Sequence, residues 1–328
     1  MTLVILSIAL ALIFDFLNGF HDAANAIATI VSTRVLKPHW AVLWAAFFNF
    51  VAFLFFGVTV ASTIGTGLIT PDIVTVPMIF CALCGAIFWN IFTWYIGIPS
   101  SSSHALIGGL LGAAIAKAGF APLKWIGISK VLFAIVLSPL IGIILGSVLM
   151  LIVARIFFFQ TPYRIDRWFR QLQLISSALI SLGHGGNDAQ KTMGIIAILL
   201  FSAGLLGKHF YIPFWVVVSC YFVIALGTFF GGWRIVKTMG MKITKLKPIE
   251  GFCAETSSAF TLFLATALGI PVSTTHTITG AIVGVGFFHG ASAVRWGVAR
   301  RIVWAWIFTI PAAGCVSGIL FWVSTFFK

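Results

Sequence analysis

Gly97-Ile-Pro-Ser-Ser-Ser-Ser-His104 returns later in the chain as Gly269-Ile-Pro-Val-Ser-Thr-Thr-His276, and both copies lie inside long apolar runs. In each copy the proline removes a backbone donor and interrupts the helix before it, and the hydroxyl residues that follow are good N-caps for a new one. Helices starting at Ser100 to Ser103 and at Ser273 to Thr275 would present free N–H groups, hydroxyls and a positive dipole end. The six residues Ser101, Ser102, Ser103, Ser273, Thr274 and Thr275 thus form a donor cup of phosphate size. A plainer reading has Ser and Thr only satisfying carbonyls at proline kinks. The duplication weighs against it.

A second motif is also duplicated. Gly19-Phe-His-Asp-Ala-Ala-Asn25 matches Gly185-Gly-Asn-Asp-Ala-Gln-Lys191, which sets Asp22 over Asp188 and Asn25 over Lys191. The two motif pairs occur in the same order and divide the chain into residues 1–160 and 161–328. About five apolar segments precede the second half, and an odd number reverses the direction in which the repeat enters the membrane. Inverted repeats with interrupted helices in matching places point to a secondary transporter with its site near the midplane. A channel built by duplication is the runner-up. An intramembrane hydrolase would need a nucleophile, a base and an orienting group, and the sequence does not identify that geometry.

Composition agrees with a membrane setting. Of 328 residues, 60% are hydrophobic and 8% charged, whereas about a quarter are charged in a soluble domain. Apolar stretches of spanning length recur, and we read about ten of them: residues 3–31, 41–63, 76–98, 101–118, 129–159, 172–206, 211–232, 248–270, 272–288 and 294–326. The expected fold is therefore an all-α polytopic membrane protein of two inverted-topology repeats. Each repeat has about five segments, and Pro/Gly-interrupted or re-entrant helices meet near the midplane. The first segment lacks a basic n-region and contains Asp15, Asn18, His21 and Asp22, so it reads as a retained span. Five scattered cysteines read as packing residues, and Cys81 and Cys84 lack the second pair that a structural zinc site needs.

The net charge of +13 sorts by topology. Arg34, Lys37, Arg155, Arg164, Arg167, Arg170, Arg234, Lys237, Lys242, Lys245, Lys247, Arg295, Arg300 and Arg301 fall in loops on one side. Only Lys117, Lys124, Lys130, Lys208 and Lys328 fall on the other. The positive-inside rule makes the first side cytoplasmic and puts both termini outside, so the basic excess is topogenic and no nucleic-acid partner is expected.

An ionisable residue at the centre of a span costs about 2.5 to 3.5 kcal/mol and is rarely accidental. Asp22, Asp188, Lys191 and Glu255 all fall within spans, with Asp15 near them. Asp188 and Lys191 are spaced to pair on one helical face, which leaves Asp22 and Glu255 unexplained. Gly19, Gly185 and Gly186 sit in segments longer than one crossing, so both helices are predicted to be broken or strongly tilted there. The exposed carbonyls would then join Asp22, Asn25, Asn187 and Asp188 around a hard cation such as sodium. His21, His104, His184 and His276 read as neutral hydrogen-bonding groups or as carriers of a coupling proton.

At these motifs the chain resembles the inorganic phosphate transporter (PiT) family, over essentially its whole length. Gly185-Gly-Asn-Asp-Ala189 and Gly269-Ile-Pro-Val-Ser-Thr-Thr-His276 look like the family pattern, and Asn18-Gly-Phe-His-Asp-Ala-Ala-Asn25 is similar to its bacterial form. The resemblance implies a symporter of inorganic phosphate with sodium or protons, a homodimer in the lipid bilayer of a bacterial inner membrane, and no cofactor. It places the six hydroxyl residues around phosphate together with Asn25, Asn187, Gln190 and Lys191. Asp22, Asn25, Asp188 and Glu255 then serve the coupling ions, with sodium at Asp22 and Asp188. His21 stands where the second half has Asn187, and Leu83 lies over Glu255, so the halves need not bind equal numbers of cations. The His-Asp form also looks like members that carry neutral metal phosphate complexes with protons.

Physics supplies a reason for coupling. Three acidic groups converging on a phosphate dianion would repel it unless cations or protons arrived too. An inside-negative potential opposes anion entry by about 2.3 kcal/mol per charge per 100 mV.

Overall fold

A computed structural model describes residues 1–327. Among them the chain is helical, with no strand beyond one isolated bridge between Ile69 and Leu123. The helices are α1 (Thr2–Ser32), α2 (Pro38–Val51), α3 (Thr59–Gly67), α4 (Val76–Ile96), α5 (Ser102–Ala118) and α6 (Trp125–Ile156). They continue as α7 (Pro162–Ser202), α8 (Phe214–Phe230), α9 (Trp233–Met241), α10 (Pro248–Ala267), α11 (Thr274–Phe287) and α12 (Trp296–Ser324).

The usual distribution of polarity is reversed, as hydrocarbon solvent requires. On α6, Phe133, Val136, Leu140, Ile144, Val148 and Leu151 lie exposed along one face, while Asp15, Asp22, Asp188, Lys191 and Glu255 are buried. Four helices, α1, α4, α6 and α12, are long and apolar enough to cross a membrane, or six spans if each bent pair counts as one. The predicted span 41–63 is a bent pair that breaks between α2 and α3 with a turn of 81°, and at the end of the predicted span 211–232 the chain turns 71° from α8 into α9. Two others, α5 and α11, have 17 and 14 residues. That is short of the roughly 20 a crossing needs. Instead α4 packs on α5 and α10 on α11, so each pair forms a helical hairpin with a repeated motif at its tip.

The hairpins lie across the halves of the chain: α5 packs on α12, and α11 on α6. Helices α1 and α7 run antiparallel. Asp15 of α1 meets Thr192 of α7, while Thr33, further along α1, meets Gln173, further back on α7. Two apolar cores form at the two ends of this pair, one with Phe14, Ile196 and Tyr221 and the other with Ile27, Phe169 and Ile278. The polar residues lie between them.

The glycine breaks predicted in α1 and α7 do not form. Both helices run uninterrupted through Gly19, Gly185 and Gly186. These glycines instead permit close crossings. A Cβ on Gly19 would stand 2.1 Å from the carbonyl oxygen of Ile224, and one on Gly185 would stand 2.5 Å from that of Asn49. One on Gly186 would meet the ring of Phe56 at 2.3 Å. Backbones can approach this closely in lipid only where the side chain is absent. The proline interruptions do form: α4 ends at Gly97 and α10 runs out before Gly269, both with positive φ, at +69° and +67°.

Candidate functional site

Each hairpin tip is shaped by its own sequence. Ser101 is the N-cap of α5, its hydroxyl accepting from the amide of His104 at 3.2 Å, and Ser273 caps α11 by accepting from His276 at 3.2 Å. The first intrahelical bonds are those of Ala105 and Thr277, so the amides of Ser102, Ser103, Thr274 and Thr275 precede them and remain donors. Both capping hydroxyls also keep their own O–H to donate. All six hydroxyl residues are at most 3% exposed, and Ser102 Oγ has no partner. The tips adjoin, with the rings of His104 and His276 4.8 Å apart.

The aspartate motifs reach these tips from α1 and α7. Asn25 Nδ2 donates to Thr274 Oγ1 at 3.0 Å and to Thr275 Oγ1 at 2.9 Å, while Thr275 approaches Asp22 and Thr274 approaches Asp188, both at 3.5 Å. Lys191 Nζ donates to Asp188 Oδ1 at 2.6 Å, to Ser103 Oγ at 2.5 Å and to the carbonyl of Val272 at 2.7 Å. Thus Asn25 of α1 bonds the second tip, and Lys191 of α7 bridges both. Carboxylate oxygens of Asp22 and Asp188 and a ring nitrogen of His184 lie within 4.8 Å of one another.

Some expected members lie elsewhere. Glu255 does not converge with the aspartates: its oxygens accept from Thr29 at 2.5 Å, Gln173 at 2.9 Å and Ser176 at 2.5 Å. Thr29 follows Asp22 by two turns of α1, about 10 Å along the axis. Gln190 turns away from the cup, because its Oε1 accepts from the amides of Val60 and Ala61 at the start of α3 and its Nε2 donates to the carbonyl of Gly186. Asn187 braces the end of α10 through Thr266 and the carbonyl of Ile270. Its counterpart His21 likewise joins Asp22 at 2.8 Å to Thr93 and Ser100 beside the first tip. Lys191 has three N–H donors and spends all three on protein oxygens, so it is not placed as a phosphate ligand.

Three residues were not assigned these places from sequence. His184 stands one turn before Asp188 and faces it at 3.7 Å, held by Asn49 at 3.1 Å. That spacing was the available signal. His276 Nδ1 lies 3.4 Å from the carbonyl of Ile135, the acceptor that Pro139 of α6 leaves free four residues on. Asp15 is fully buried, accepts from Thr192 at 2.8 Å and keeps one oxygen unpartnered.

A multi-pass membrane protein with paired interrupted helices closing over a buried polar centre has the build of a secondary transporter. The sequence profile of the phosphate transporter family matches residues 18–317. A probable low-affinity inorganic phosphate transporter of Rhizobium meliloti (strain 1021) is 66% identical over 97% of this chain and 95% of its own length. A protein of the same description from Bacillus subtilis (strain 168) is 46% identical over 98% and 97%. Among solved structures, one titled as the sodium-dependent phosphate transporter superposes with a TM-score of 0.91 at 27% identity, each chain fully covered. The chain belongs to the phosphate transporter family. These relatives are transporters, not enzymes.

Proposed function

We propose that this protein is a symporter that carries inorganic phosphate inward across a bacterial inner membrane with sodium or protons. The observation that carries the reading is the meeting of two capped helix N-termini at a pair of buried acids: Thr274 and Thr275 of α11 approach Asp188 and Asp22, and Ser103 of the adjoining α5 accepts from the Lys191 that pairs with Asp188. Amides and hydroxyls of Ser101 to Ser103 and Ser273 to Thr275 supply the anion's donors, and the side-chain amide of Asn25 holds the hydroxyls of Thr274 and Thr275 in place. Helix N-termini stabilise phosphate through oriented N–H groups and the dipole, with no mobile counter-charge. Asp22 and Asp188 are the acids of the coupling site, and carboxylate oxygens suit sodium.

The halves 1–160 and 161–328 act as inverted repeats rocking about this site. The antiparallel course of α1 and α7 supports that arrangement. Cytoplasmic basic loops, outward termini and a homodimer complete the proposal. Glu255 serves cation passage at a distance, from its own cluster of hydroxyls and amide.

Asp22, His184 and Asp188 together favour one second reading: a carboxylate, imidazole and carboxylate set also suits a divalent metal travelling with phosphate as a neutral complex. The test is uptake of radiolabelled phosphate into proteoliposomes under a sodium gradient, a proton gradient and added divalent metal, each imposed separately. Accumulation under one of these identifies the coupling ion. Absence of accumulation under all three refutes the symporter.

A further inference from the structure

Asn25 and Lys191 occupy matching places in the two motifs, each three residues after its aspartate. Their contacts match too. Asn25 reaches Thr275 at 2.9 Å, and Lys191 reaches Ser103, the residue aligned with Thr275, at 2.5 Å. The ammonium then goes further than the amide, adding Asp188 Oδ1 at 2.6 Å and the carbonyl of Val272 at 2.7 Å. A carboxylate, a hydroxyl and a main-chain carbonyl at an interrupted helix are the donors with which transporters hold a monovalent metal ion. Here one positive centre, 1% exposed, sits among all three.

We propose that the Lys191 ammonium is a tethered substitute for one coupling cation, so that this chain moves one cation fewer per phosphate than the same site would with a neutral residue at 191. The inference rests on the symport reading above. The tethered charge neutralises Asp188 and ties the two tips together through Ser103 and Val272 in every step. It arrives with no ion from solution and leaves with none. Asp22, whose partners are the His21 imidazole at 2.8 Å and the Thr275 hydroxyl at 3.5 Å, is left to take the mobile ion.

The experiment compares wild type with Lys191→Asn, which recreates the first motif's asparagine, using sodium, lithium and choline as the probe ions. In proteoliposomes below saturation, one additional bound cation makes Lys191→Asn uptake fall by a further factor of about ten, relative to wild type, for each tenfold dilution of sodium. In detergent, sodium raises the melting temperature of Lys191→Asn more than that of wild type. The double variant Asp188→Asn/Lys191→Asn loses this added response, because the carboxylate that binds the ion is gone. Stability and uptake of Lys191→Asn that respond to cations as wild type does overturn the proposal, as does a variant that cannot be folded in any of the three salts, for then the lysine is only one half of an ion pair. Phosphate accumulation by wild type, measured in the same vesicles, separates this outcome from failure of the symport reading.

Discussion

Around Asp22 the neighbours are an imidazole at 2.8 Å, the Thr275 hydroxyl at 3.5 Å and, through the hydroxyls, the amide of Asn25. Around Asp188 they are the Thr274 hydroxyl at 3.5 Å, the His184 imidazole at 3.7 Å and an ammonium at 2.6 Å. Both half-sites hang an acid from a long helix, and both acids meet the capped tip of α11, Asp22 at Thr275 and Asp188 at Thr274. They differ in where positive charge comes from: one carries its own, and the other must be supplied. A site with one open and one neutralised acid needs fewer ions to receive a phosphate than three converging carboxylates would.

The comparison breaks most severely at Asp188. Asp188→Ala leaves a buried ammonium without its partner, a change that costs about 3 to 5 kcal/mol, and the expected result is little folded protein by size-exclusion chromatography. Asp22→Ala removes an acid with no fixed cation and should leave a folded protein. Equal loss of fold in both variants contradicts the distinction between the half-sites.

The helix crossings test whether the halves are built alike. Gly19→Val and Gly185→Val force a side chain onto a neighbouring backbone, and overpacking of this kind costs about 1 to 3 kcal/mol. Thermal unfolding in detergent should show similar losses for the two, because a Cβ added at either glycine would stand 2.1 to 2.5 Å from a carbonyl oxygen. Smaller still is the cap. Ser101→Ala and Ser273→Ala each remove one N-cap bond, worth about 1 kcal/mol, and both should weaken phosphate binding as the tip amides lose their alignment. If only one weakens it, the anion rests on a single tip.

The smallest effect is expected at Glu255. Glu255→Gln alters a cluster about 10 Å along α1 from Asp22, so phosphate affinity measured by equilibrium binding should stay within about twofold of wild type, a difference under 1 kcal/mol. The rate of cation-driven uptake is the quantity that should fall. A large loss of affinity would place Glu255 at the anion after all.

The helical class and the hairpin tips were legible because the signals are local: apolar length, a proline, and a serine or threonine placed to cap. The expected breaks at Gly19, Gly185 and Gly186 failed because a glycine's role depends on what it faces, and Ile224, Asn49 and Phe56 are distant in sequence. The same reason separates Glu255 from Asp22 and turns Gln190 to the start of α3. Spacing along one helix did indicate that Lys191 pairs with Asp188, since i,i+3 residues share a face. Its bonds to Ser103 and Val272 come from two hairpin tips that only folding brings together.

The central claim is that phosphate and a cation bind as a linked pair with Asp22 as the open acid. Linkage requires that each ligand raise the other's affinity by the same factor. The direct measurement is equilibrium binding of radiolabelled phosphate to purified protein with and without the driving cation, in wild type and in Asp22→Asn. The account predicts that the cation tightens phosphate binding in wild type and has no effect on it in Asp22→Asn. Equal tightening in both proteins would contradict it and move the mobile cation away from Asp22.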